Sequence, residues 1–360
     1  MIKILFVIPA DLNYNGGIEK TIKKYINVKN NFEKGVLECD KFSIYSKLIL
    51  NTHNKMNFIV RLFSPLILKI DRIKNIKKIK YIEKNYDIIY LTNDDYYYLF
   101  KNTKLIIWSE HGNLPNNYTG INILNKLLLF LFNNKIIFKK IKYFHIINCY
   151  NYIYLPINSK YFCVPSGISS EKFTPIAKKM DKIKFLFVGR LEKSKNVDKI
   201  VNVFKKLDDN YEINIVGDGE LSYLFNDKYN NIHYYKNLPE NDLIKIYKNS
   251  DVFLFPSILE NFGLVVLEAL SSGLYVIISN SMKPRFDYFE KMNFLEYIEI
   301  SEDNLMNSIK NVNQKIEYTS ILENKKTIHE YIKNNYDWNI LLNNLYNNFE
   351  KIYNENNLNI

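Results

Sequence analysis

The sequence contains little cysteine and no long apolar run. Of its 360 residues only three are cysteines, Cys39, Cys149 and Cys163, an odd number without the spacing of a metal site. We therefore expect reduced thiols in a cytosolic protein, and a small disulfide scaffold is excluded. The longest uninterrupted apolar run, Leu127 to Phe132, has six residues, whereas a membrane-spanning helix needs roughly 18 or more. No segment is therefore expected to span a membrane.

The first residues also lack the features of a signal peptide. Residues 1–17 contain one lysine and a short apolar run, without a small-residue cleavage site. A buried first strand explains that run better. The whole chain is 47% hydrophobic and 24% charged, which excludes a disordered protein and a collagen. Its length predicts two domains, each large enough to bury a core.

Positive charge is concentrated in the first half of the sequence. Residues 1–165 hold 25 basic and 11 acidic side chains, whereas residues 166–360 hold 24 and 27. A basic half indicates an anionic partner, such as a phospholipid surface, a phosphorylated acceptor or a nucleic acid. The alternative is a biased composition in which lysine fills solvated positions of a chain rich in Lys, Asn, Ile and Tyr.

Short β-branched runs alternate with helical patterns in both halves, which predicts βαβ units on parallel sheets. Two doubly wound domains in tandem would face a cleft, with the carboxyl ends of their strands directed toward it. A Pro-, Gly- and Ser-containing segment from Lys160 to Lys182 reads as the linker. We therefore predict domains at 1–165 and 166–338, and a helix at 339–360 that packs back on the first domain.

One segment of the first half remains ambiguous. Asn125 to Phe144 is very apolar and is fringed with lysine, which favours a helix or a helical hairpin. A core helix with a basic edge explains this pattern, and so does a helix that touches a membrane surface.

The strongest local signal lies between Pro256 and Gly273. Glu260 follows a predicted strand, and Glu268 lies about two turns into the next helix. The start of that helix near Gly263 presents free backbone N–H groups, which bind anions. One carboxylate can reach sugar hydroxyls and the other a ribose diol. Two ordinary helix glutamates would give the same pattern.

A second signal follows the strand Lys184 to Gly189. Arg190 and Lys195 lie in the loop before the next helix. Two cations at the carboxyl end of a strand suit a pyrophosphate, because arginine supplies a planar fork and lysine a point charge. In a lysine-rich chain this signal alone is weak.

Together these motifs resemble a known family. The order VGRL…K, VGDGE and ENFGLxxxE along 184–280 is similar to the carboxyl-terminal half of the family 4 glycosyltransferases, which are retaining enzymes of the GT-B fold. The segment Val164 to Pro175 resembles the interdomain segment of that family, and Gly16-Gly17 with Ile18-Glu19 resembles its first glycine loop. The resemblance is good over 1–20 and 160–280 and weak over 30–150.

The resemblance implies roles for individual residues. Arg190 and Lys195 would hold the donor diphosphate, and Glu268 the ribose hydroxyls. Glu260 would contact the transferred sugar. The implied donor-site positions are Gly16, Gly17, Gly189, Arg190, Lys195, Asn261, Phe262, Gly263, Leu264 and Glu268. Lys236, Asn237 and Leu238 lie where the family's backbone meets the nucleotide base.

His111 follows the strand 104–108, where the family often places a histidine near the transferred sugar. It could accept a hydrogen bond from a sugar hydroxyl or stabilise developing charge. A packed loop histidine is the alternative, and Glu110 beside it is another candidate. Asp94 and Asp95 could bind acceptor hydroxyls, although solvated loop acids are the simpler interpretation.

Two departures from the family pattern matter. No G-G-x-x-E element follows the strand that ends at Asn280, which resembles a subgroup associated with capsule and exopolysaccharide assembly. No D-x-D pair stands in a metal context either. We expect that no metal is required, because Arg190, Lys195 and the helix start would supply the electrostatic stabilisation.

The resemblance therefore implies a retaining sugar transfer in the synthesis of cell-surface polysaccharide, lipopolysaccharide or another glycoconjugate. The donor would be a UDP- or GDP-sugar, with no permanently bound cofactor, and the acceptor a glycan or a lipid-linked sugar. We expect a cytoplasmic protein, peripheral on the inner face of the membrane through anionic lipid, and no nucleic acid partner. The alternative is a non-catalytic GT-B-scaffold protein whose basic half holds an anionic partner.

Overall fold

Two compact units make up the chain in the computed structural model. The first comprises Met1–Pro165 with Leu341–Ile360, and the second Ser166–Ile340. The structure describes residues 1–9, 11–12, 17–41, 43, 64–100, 103, 105–109, 141–149, 155, 159–177, 182–227, 229–258, 260 and 262–358.

The first unit contains a six-stranded parallel sheet in the order β2-β1-β3-β4-β5-β6. Its strands are β1 (Ile2–Ile8), β2 (Phe32–Glu38), β3 (Ile88–Leu91), β4 (Ile106–Ser109), β5 (Tyr143–Ile146) and β6 (Lys160–Cys163). β3, β4 and β5 are buried at every position, as expected for strands covered on both faces. The order of the first strands is that of flavodoxin-like doubly wound sheets.

Three helices of the described residues connect these strands. They are α1 (Gly17–Asn27), α2 (Ser64–Lys74) and α3 (Ile76–Asn85). Helix α1 buries Ile22 and Tyr25, which are three residues apart and therefore lie on the same face of the helix. The pattern of apolar residues in α1 therefore matches the face that packs on the sheet.

The second unit contains another six-stranded parallel sheet, in the order β12-β11-β10-β7-β8-β9. Its strands are β7 (Ile183–Val188), β8 (Tyr211–Val216), β9 (Ile232–Tyr235), β10 (Val252–Phe255), β11 (Tyr275–Ser279) and β12 (Leu295–Ile298). The chain builds outward from β7 to β9, then returns to the other side of β7 with β10. The point where the strand order reverses therefore lies between β7 and β10.

The helices of the second unit lie in the crossovers and in a carboxyl-terminal group. They are α4 (Val197–Phe204), α5 (Glu240–Asn249), α6 (Leu264–Ser271), α7 (Asp287–Lys291), α8 (Glu302–Lys310), α9 (Val312–Ser320) and α10 (Leu322–Tyr336). A last helix, α11 (Trp338–Asn357), begins in the second unit and ends in the first. Its buried residues include Leu345 and Phe349.

The structure confirms the α/β class and two parallel sheets, and corrects three details. The predicted helical segment 125–144 ends in strand β5 rather than in a helix, because Phe144 pairs with Trp108 and Tyr161 of the neighbouring strands. The predicted linker begins with edge strand β6. Cys149 and Cys163 form a disulfide, with their Cα atoms 5.4 Å apart, so the expectation of reduced thiols is wrong for these two residues.

The remainder of segment 125–144, including the run from Leu127 to Phe132, lies outside the described residues. Among the helices that are described, none combines the length and the apolar character needed to cross a membrane.

Candidate donor site at the reversal of the second sheet

Two loops that carry the predicted site residues leave neighbouring strands. β7 and β10 pair directly, with Phe185 opposite Val252 and Leu186 opposite Phe253. Both strands are parallel, so their carboxyl ends lie at the same edge of the sheet. Ligands of doubly wound folds bind at this edge, at the point where the strand order reverses. The fold therefore brings the Arg190–Lys195 loop beside the loop that carries Glu260.

Strand β7 ends against a tight turn from strand β8. The amide of Gly189 donates to Val216, and that of Leu191 donates to Asp218, at 3.0 and 2.9 Å. A side chain at Gly217 would collide with the carbonyl oxygen of Gly189, so only glycine allows this approach. The glycines of the VGDGE segment therefore allow the turn after β8 to pack closely against the end of β7.

Lys195 is the central cation of this edge. Its side chain is 8% exposed and forms an ion pair with Glu260, whose side chain is 19% exposed. The ammonium also donates to the hydroxyl of Ser257 at 3.3 Å and lies 5.8 Å from the centre of the Phe255 ring. A charged group this deeply buried needs such partners, because burial removes its hydration. The two predicted residues Lys195 and Glu260 are thus in direct contact.

Backbone contacts fix the two loops to each other. The amide of Ile258 donates to the carbonyl of Ser194 at 3.0 Å. The side-chain amide of Asn196 donates to the carbonyl of Pro256 at 2.8 Å. Asn196 itself has a left-handed backbone, with φ 50°, a conformation that asparagine tolerates better than most residues. These bonds hold Lys195 and Glu260 in place independently of their own charges.

Arg190 has a different environment from Lys195. Its side chain is 75% exposed and lies 2.6 Å from the carboxylate of Glu192. An exposed pair of this kind contributes little to stability. The guanidinium therefore remains accessible to an anion from solvent.

The loop after β10 leads into helix α6. Gly263 precedes the helix with φ 93°, and a side chain there would approach Met282 to 2.8 Å. Among the described residues, no side chain caps this helix start, so its first N–H groups point out of the helix without a side-chain acceptor. Phe262 anchors the loop by packing its ring 6.2 Å from that of Phe286, and Leu264 is half-buried as the first helical residue.

Glu268 lies on α6 and is oriented by a buried tyrosine. The hydroxyl of Tyr247, on α5, donates to Oε2 of Glu268 at 2.9 Å. Burial, with the nearby charge of Glu268 as the next cause, raises the pKa of Tyr247 well above its usual value, so this phenol stays protonated and donates. Glu268 itself is half-buried, which leaves part of its carboxylate accessible.

The loop after β11 also reaches this edge. The hydroxyl of Ser281 donates to the carbonyl of Ser257 at 3.1 Å, and Ser279 accepts from the amide of Ser281 at 3.1 Å. These bonds fix the loop after β11 to the loop after β10.

For several predicted site positions the structure gives no side-chain contact or a different environment from the one expected. Gly16, Glu110, His111 and Asn261 lie outside the described residues, and Gly17 begins helix α1. Asp95 is buried, and its amide donates to Asn93, so the interpretation of this residue as a solvated loop acid is wrong.

The base-binding candidate segment has one described charge contact. Lys236 is exposed and lies 3.5 Å from the carboxylate of Asp218. This contact places Lys236 next to the VGDGE turn that supports the end of β7. Within the described ranges, no group of three His, Cys, Asp or Glu side chains could hold a metal ion.

Sequence reasoning missed Tyr247 and Ser257. Tyr247 lies in the helix before β10, 21 residues from Glu268, and it reads as an ordinary apolar position of an amphipathic helix. Ser257 lies two residues after the end of β10, so its position near a strand end was the available signal.

The family comparison covers the second unit. Residues 169–338 match the family described as Glycosyl transferases group 1. A relative in Escherichia coli, UDP-Gal:alpha-D-GlcNAc-diphosphoundecaprenol alpha-1,3-galactosyltransferase, is 33% identical over 190 residues, which cover 42% of this chain and 48% of that protein. The chain spans about half or less of the length of the curated relatives that it matches.

Solved structures resemble the whole chain. Sucrose-phosphate synthase from Thermosynechococcus elongatus has a TM-score of 0.75 and 14% identity, covering 99% of this chain and 100% of that one. HepE from Anabaena, solved in complex with UDP and glucose, has a TM-score of 0.66 and 12% identity, covering 98% and 100%. At these identities the likeness shows the fold alone, which is the GT-B fold of two Rossmann-like domains.

Proposed function

We propose that this chain transfers a sugar from a nucleotide-activated donor to a glycan or lipid-linked acceptor, with retention of anomeric configuration. The observation that carries the proposal is the contact between Lys195 and Glu260 across the strand ends of β7 and β10, beside an uncapped helix start and Glu268. The loops that carry Arg190, Lys195 and Glu260 leave the same edge of one sheet, and the second of them leads into the helix that carries Glu268.

The cations and the helix start suit a diphosphate. Lys195 would be drawn from Glu260 toward the phosphate oxygens, and Arg190 is exposed enough to close over them from solvent. The first amides of α6 add donors and the positive end of the helix dipole. Preorganised positive charge of this kind stabilises the charge that develops on a departing nucleoside diphosphate.

The two carboxylates suit hydroxyl groups of the donor. Glu268, oriented by Tyr247, would accept hydrogen bonds from a ribose diol. Glu260 would accept from hydroxyls of the transferred sugar once Lys195 turns to the diphosphate. Both roles follow the family resemblance, and both suit half-buried carboxylates at the strand ends.

The implied reaction balances without an enzyme nucleophile. An acceptor hydroxyl attacks the anomeric carbon on the face from which the diphosphate leaves. The anomeric carbon–phosphate oxygen bond breaks, the new glycosidic bond forms, and the acceptor proton passes to the departing diphosphate. Arg190 and Lys195 would offset the charge on that leaving group.

The name of the Escherichia coli relative contains a UDP-sugar and a diphosphoundecaprenol acceptor. By extension we propose a UDP-sugar donor held by the second unit and a lipid-linked diphosphate acceptor held by the basic first unit. The process would be the assembly of cell-surface polysaccharide or a related glycoconjugate, on the inner face of the membrane.

Calorimetry tests the donor site first. We expect UDP to bind more tightly than ADP, with or without Mg²⁺, and Glu268→Ala to weaken that binding strongly. Glu323→Ala, an exposed glutamate of α10, is the matched control and should bind like the wild type. If no nucleoside diphosphate binds the wild type, the donor-site assignment is wrong.

Transfer is then measured with UDP-galactose and a GlcNAc-diphosphopolyprenol in detergent. A mass gain of one hexose on the acceptor supports the proposal, and an α linkage by nuclear magnetic resonance supports retention. Nucleotide binding without sugar transfer to this or any related lipid-linked acceptor would instead favour a non-catalytic binding protein on the same scaffold.

A further inference from the structure

Helices α2 and α3 of the first unit carry an unusual group of exposed apolar side chains. Leu66, Ile70 and Ile73 are 58%, 42% and 72% exposed, and we call these three the apolar strip. Their spacing of four and three residues places them on one face of α2. Ile76 and Tyr81 of α3 are also exposed. Large exposed apolar side chains grouped on one helix face mark an interaction surface.

Lysines flank the apolar strip on both sides. Viewed along α2, Lys69 lies on one side of the strip and Lys74 on the other, at about 60 to 80° from Leu66. α3 continues this basic rim. The exposed lysines of the two helices are Lys69, Lys74, Lys77, Lys78, Lys80 and Lys84.

The acidic residues of α2 and α3 form bonds with other side chains of the first unit. Asp71 is fully buried and accepts from the hydroxyl of Ser43 at 2.8 Å. Glu83 forms a two-bond ion pair with Arg72, each bond 3.0 Å long. Both carboxylates therefore fix α2 and α3 to the unit, and the exposed side of these helices presents lysine without acidic residues.

We propose that α2 and α3 dock the protein on an anionic phospholipid bilayer, with the apolar strip inserted among the acyl chains and the lysines at the headgroups. Charge complementarity selects this occupant. A helix that buries apolar side chains in the interface and binds anionic headgroups with a lysine rim has this composition. A protein partner with an apolar groove would not require six lysines of one sign around it.

This proposal rests on the proposed function in one respect: a lipid-linked acceptor lies in a bilayer, and docking would bring the protein to it. Docking itself needs neither donor nor acceptor. Its test therefore uses neither, and its failure leaves the nucleotide-binding result untouched.

The experiment is flotation of the full chain with vesicles of equimolar phosphatidylglycerol and phosphatidylcholine, against pure phosphatidylcholine. We expect binding to the anionic vesicles, little binding to the neutral ones, and release as sodium chloride is raised, because salt screens exposed charges. Equal binding to both vesicle types, or none to either, would overturn the proposal.

Two variants separate the apolar and the charged contributions. The triple variant Leu66→Gln, Ile70→Gln and Ile73→Gln should bind at least tenfold more weakly, because each buried methylene contributes about fourfold. The triple variant Lys69→Gln, Lys74→Gln and Lys77→Gln should lose roughly 100-fold, at about fivefold for each lysine. Thermal unfolding followed by circular dichroism shows whether both variants fold like the wild type, as expected because all six positions are exposed.

Matched controls come from the second unit. Tyr223→Gln with Ile321→Gln removes apolar side chains that are 61% and 52% exposed. Lys310→Gln with Lys326→Gln removes exposed charge. Both controls should bind vesicles like the wild type, and an equal loss in them would contradict the assignment to α2 and α3. Concentration-dependent dimerisation that only the apolar-strip variant loses, without vesicle binding, would assign this surface to a second copy of the chain.

Discussion

The two units have the same kind of sheet but keep their buried polar groups in different places. In the first unit, His145 lies in the middle of β5, where Nδ1 accepts from the hydroxyl of Tyr90 at 2.6 Å and Nε2 donates to the carbonyl of Val164 at 2.7 Å. In the second unit, Lys195 and Glu260 lie beyond the ends of β7 and β10. A polar group within a sheet holds the fold together, whereas one at the carboxyl edge can exchange its partner for a ligand.

The charge distribution separates the units as well. The lysine excess lies in residues 1–165, and residues 166–360 hold slightly more acidic than basic side chains. In our proposal the second unit binds a diphosphate through a few placed cations, among them Lys195. The first unit instead presents many exposed lysines on α2 and α3, which would respond to the charge density of a surface.

Among the substitutions that test this difference between the units, we expect the largest loss of activity from a change at Lys195. In Lys195→Met we expect sugar transfer to fall about 100- to 1000-fold, the usual result of removing one preorganised donor from a charged transition state. The free energy of unfolding should also fall by about 2 kcal/mol, because the half-buried carboxylate of Glu260 loses its charged partner. Steady-state kinetics and urea titration measure the two effects.

Two further variants isolate the cause. Lys195→Met combined with Glu260→Gln should recover much of the lost stability but none of the lost activity. Lys245→Met removes a lysine that pairs with Asp242 at 2.8 Å on the exposed surface of α5, and it should change the free energy of unfolding by less than about 0.5 kcal/mol. Full activity in Lys195→Met would remove the electrostatic role assigned to this edge of the sheet.

The second largest expected effect is a loss of stability of the first unit at low pH. Burial lowers the pKa of His145 from 6.5 to about 4, so the folded imidazole stays neutral while the unfolded one takes up a proton below about pH 6.5. Stability is therefore unaffected above that pH and falls as the pH drops toward 4. Between pH 7 and pH 5 the loss should be about 2 kcal/mol.

One tryptophan in each unit makes this measurable. The sequence has two tryptophans, Trp108 in buried strand β4 and Trp338 in α11. In a Trp338→Phe background, the fluorescence of Trp108 reports unfolding of the first unit. His145→Phe should flatten the pH dependence of that transition relative to the background, and an unchanged slope would show that His145 is not the titrating group.

Much of the fold and part of the site could be predicted from sequence. β-branched runs and their alternation with helices predicted the two sheets, because the inner strands β3, β4, β5, β10 and β11 are buried at every position. Arg190, Lys195, Glu260 and Glu268 were predicted from the strand ends, the helix start and the family resemblance. The contact of Lys195 with Glu260 could not be predicted from the sequence, because the two residues are 65 positions apart and meet only when β7 and β10 are neighbours.

The missed features share that physical reason. Strand β5 follows a lysine-rich apolar segment, and only its pairing with β4 and β6 makes Tyr143–Ile146 extended. The Cys149–Cys163 disulfide likewise depends on the pairing of β5 with β6, which brings the two Cα atoms within 5.4 Å. An odd cysteine count carries no information about such proximity.

The third expected effect is a loss of nucleotide affinity when the hydrogen bond to Glu268 is removed from the second unit. Tyr247→Phe should weaken UDP binding about tenfold, because Glu268 loses the hydrogen bond that orients its carboxylate. Folding should be affected little, since the ring still fills its place in the core. Tyr275→Phe is the matched control, because that buried tyrosine bonds to Glu296 and lies at the start of β11, at the opposite edge of the sheet. A loss of equal size in both variants would indicate a general loosening of the core.

The smallest effect on folding is expected at Arg190, the exposed counterpart of Lys195. Arg190→Ala should change the free energy of unfolding by less than about 0.5 kcal/mol, because the pair with Glu192 is exposed. UDP affinity should fall about tenfold, the loss of one charge-assisted contact, while uridine affinity stays unchanged because uridine has no phosphate for Arg190 to hold. Glu268→Ala should instead weaken both ligands through the ribose. Calorimetry with UDP and uridine on both variants distinguishes a diphosphate contact from a ribose contact, and an equal loss for both ligands in Arg190→Ala would place this guanidinium away from the diphosphate.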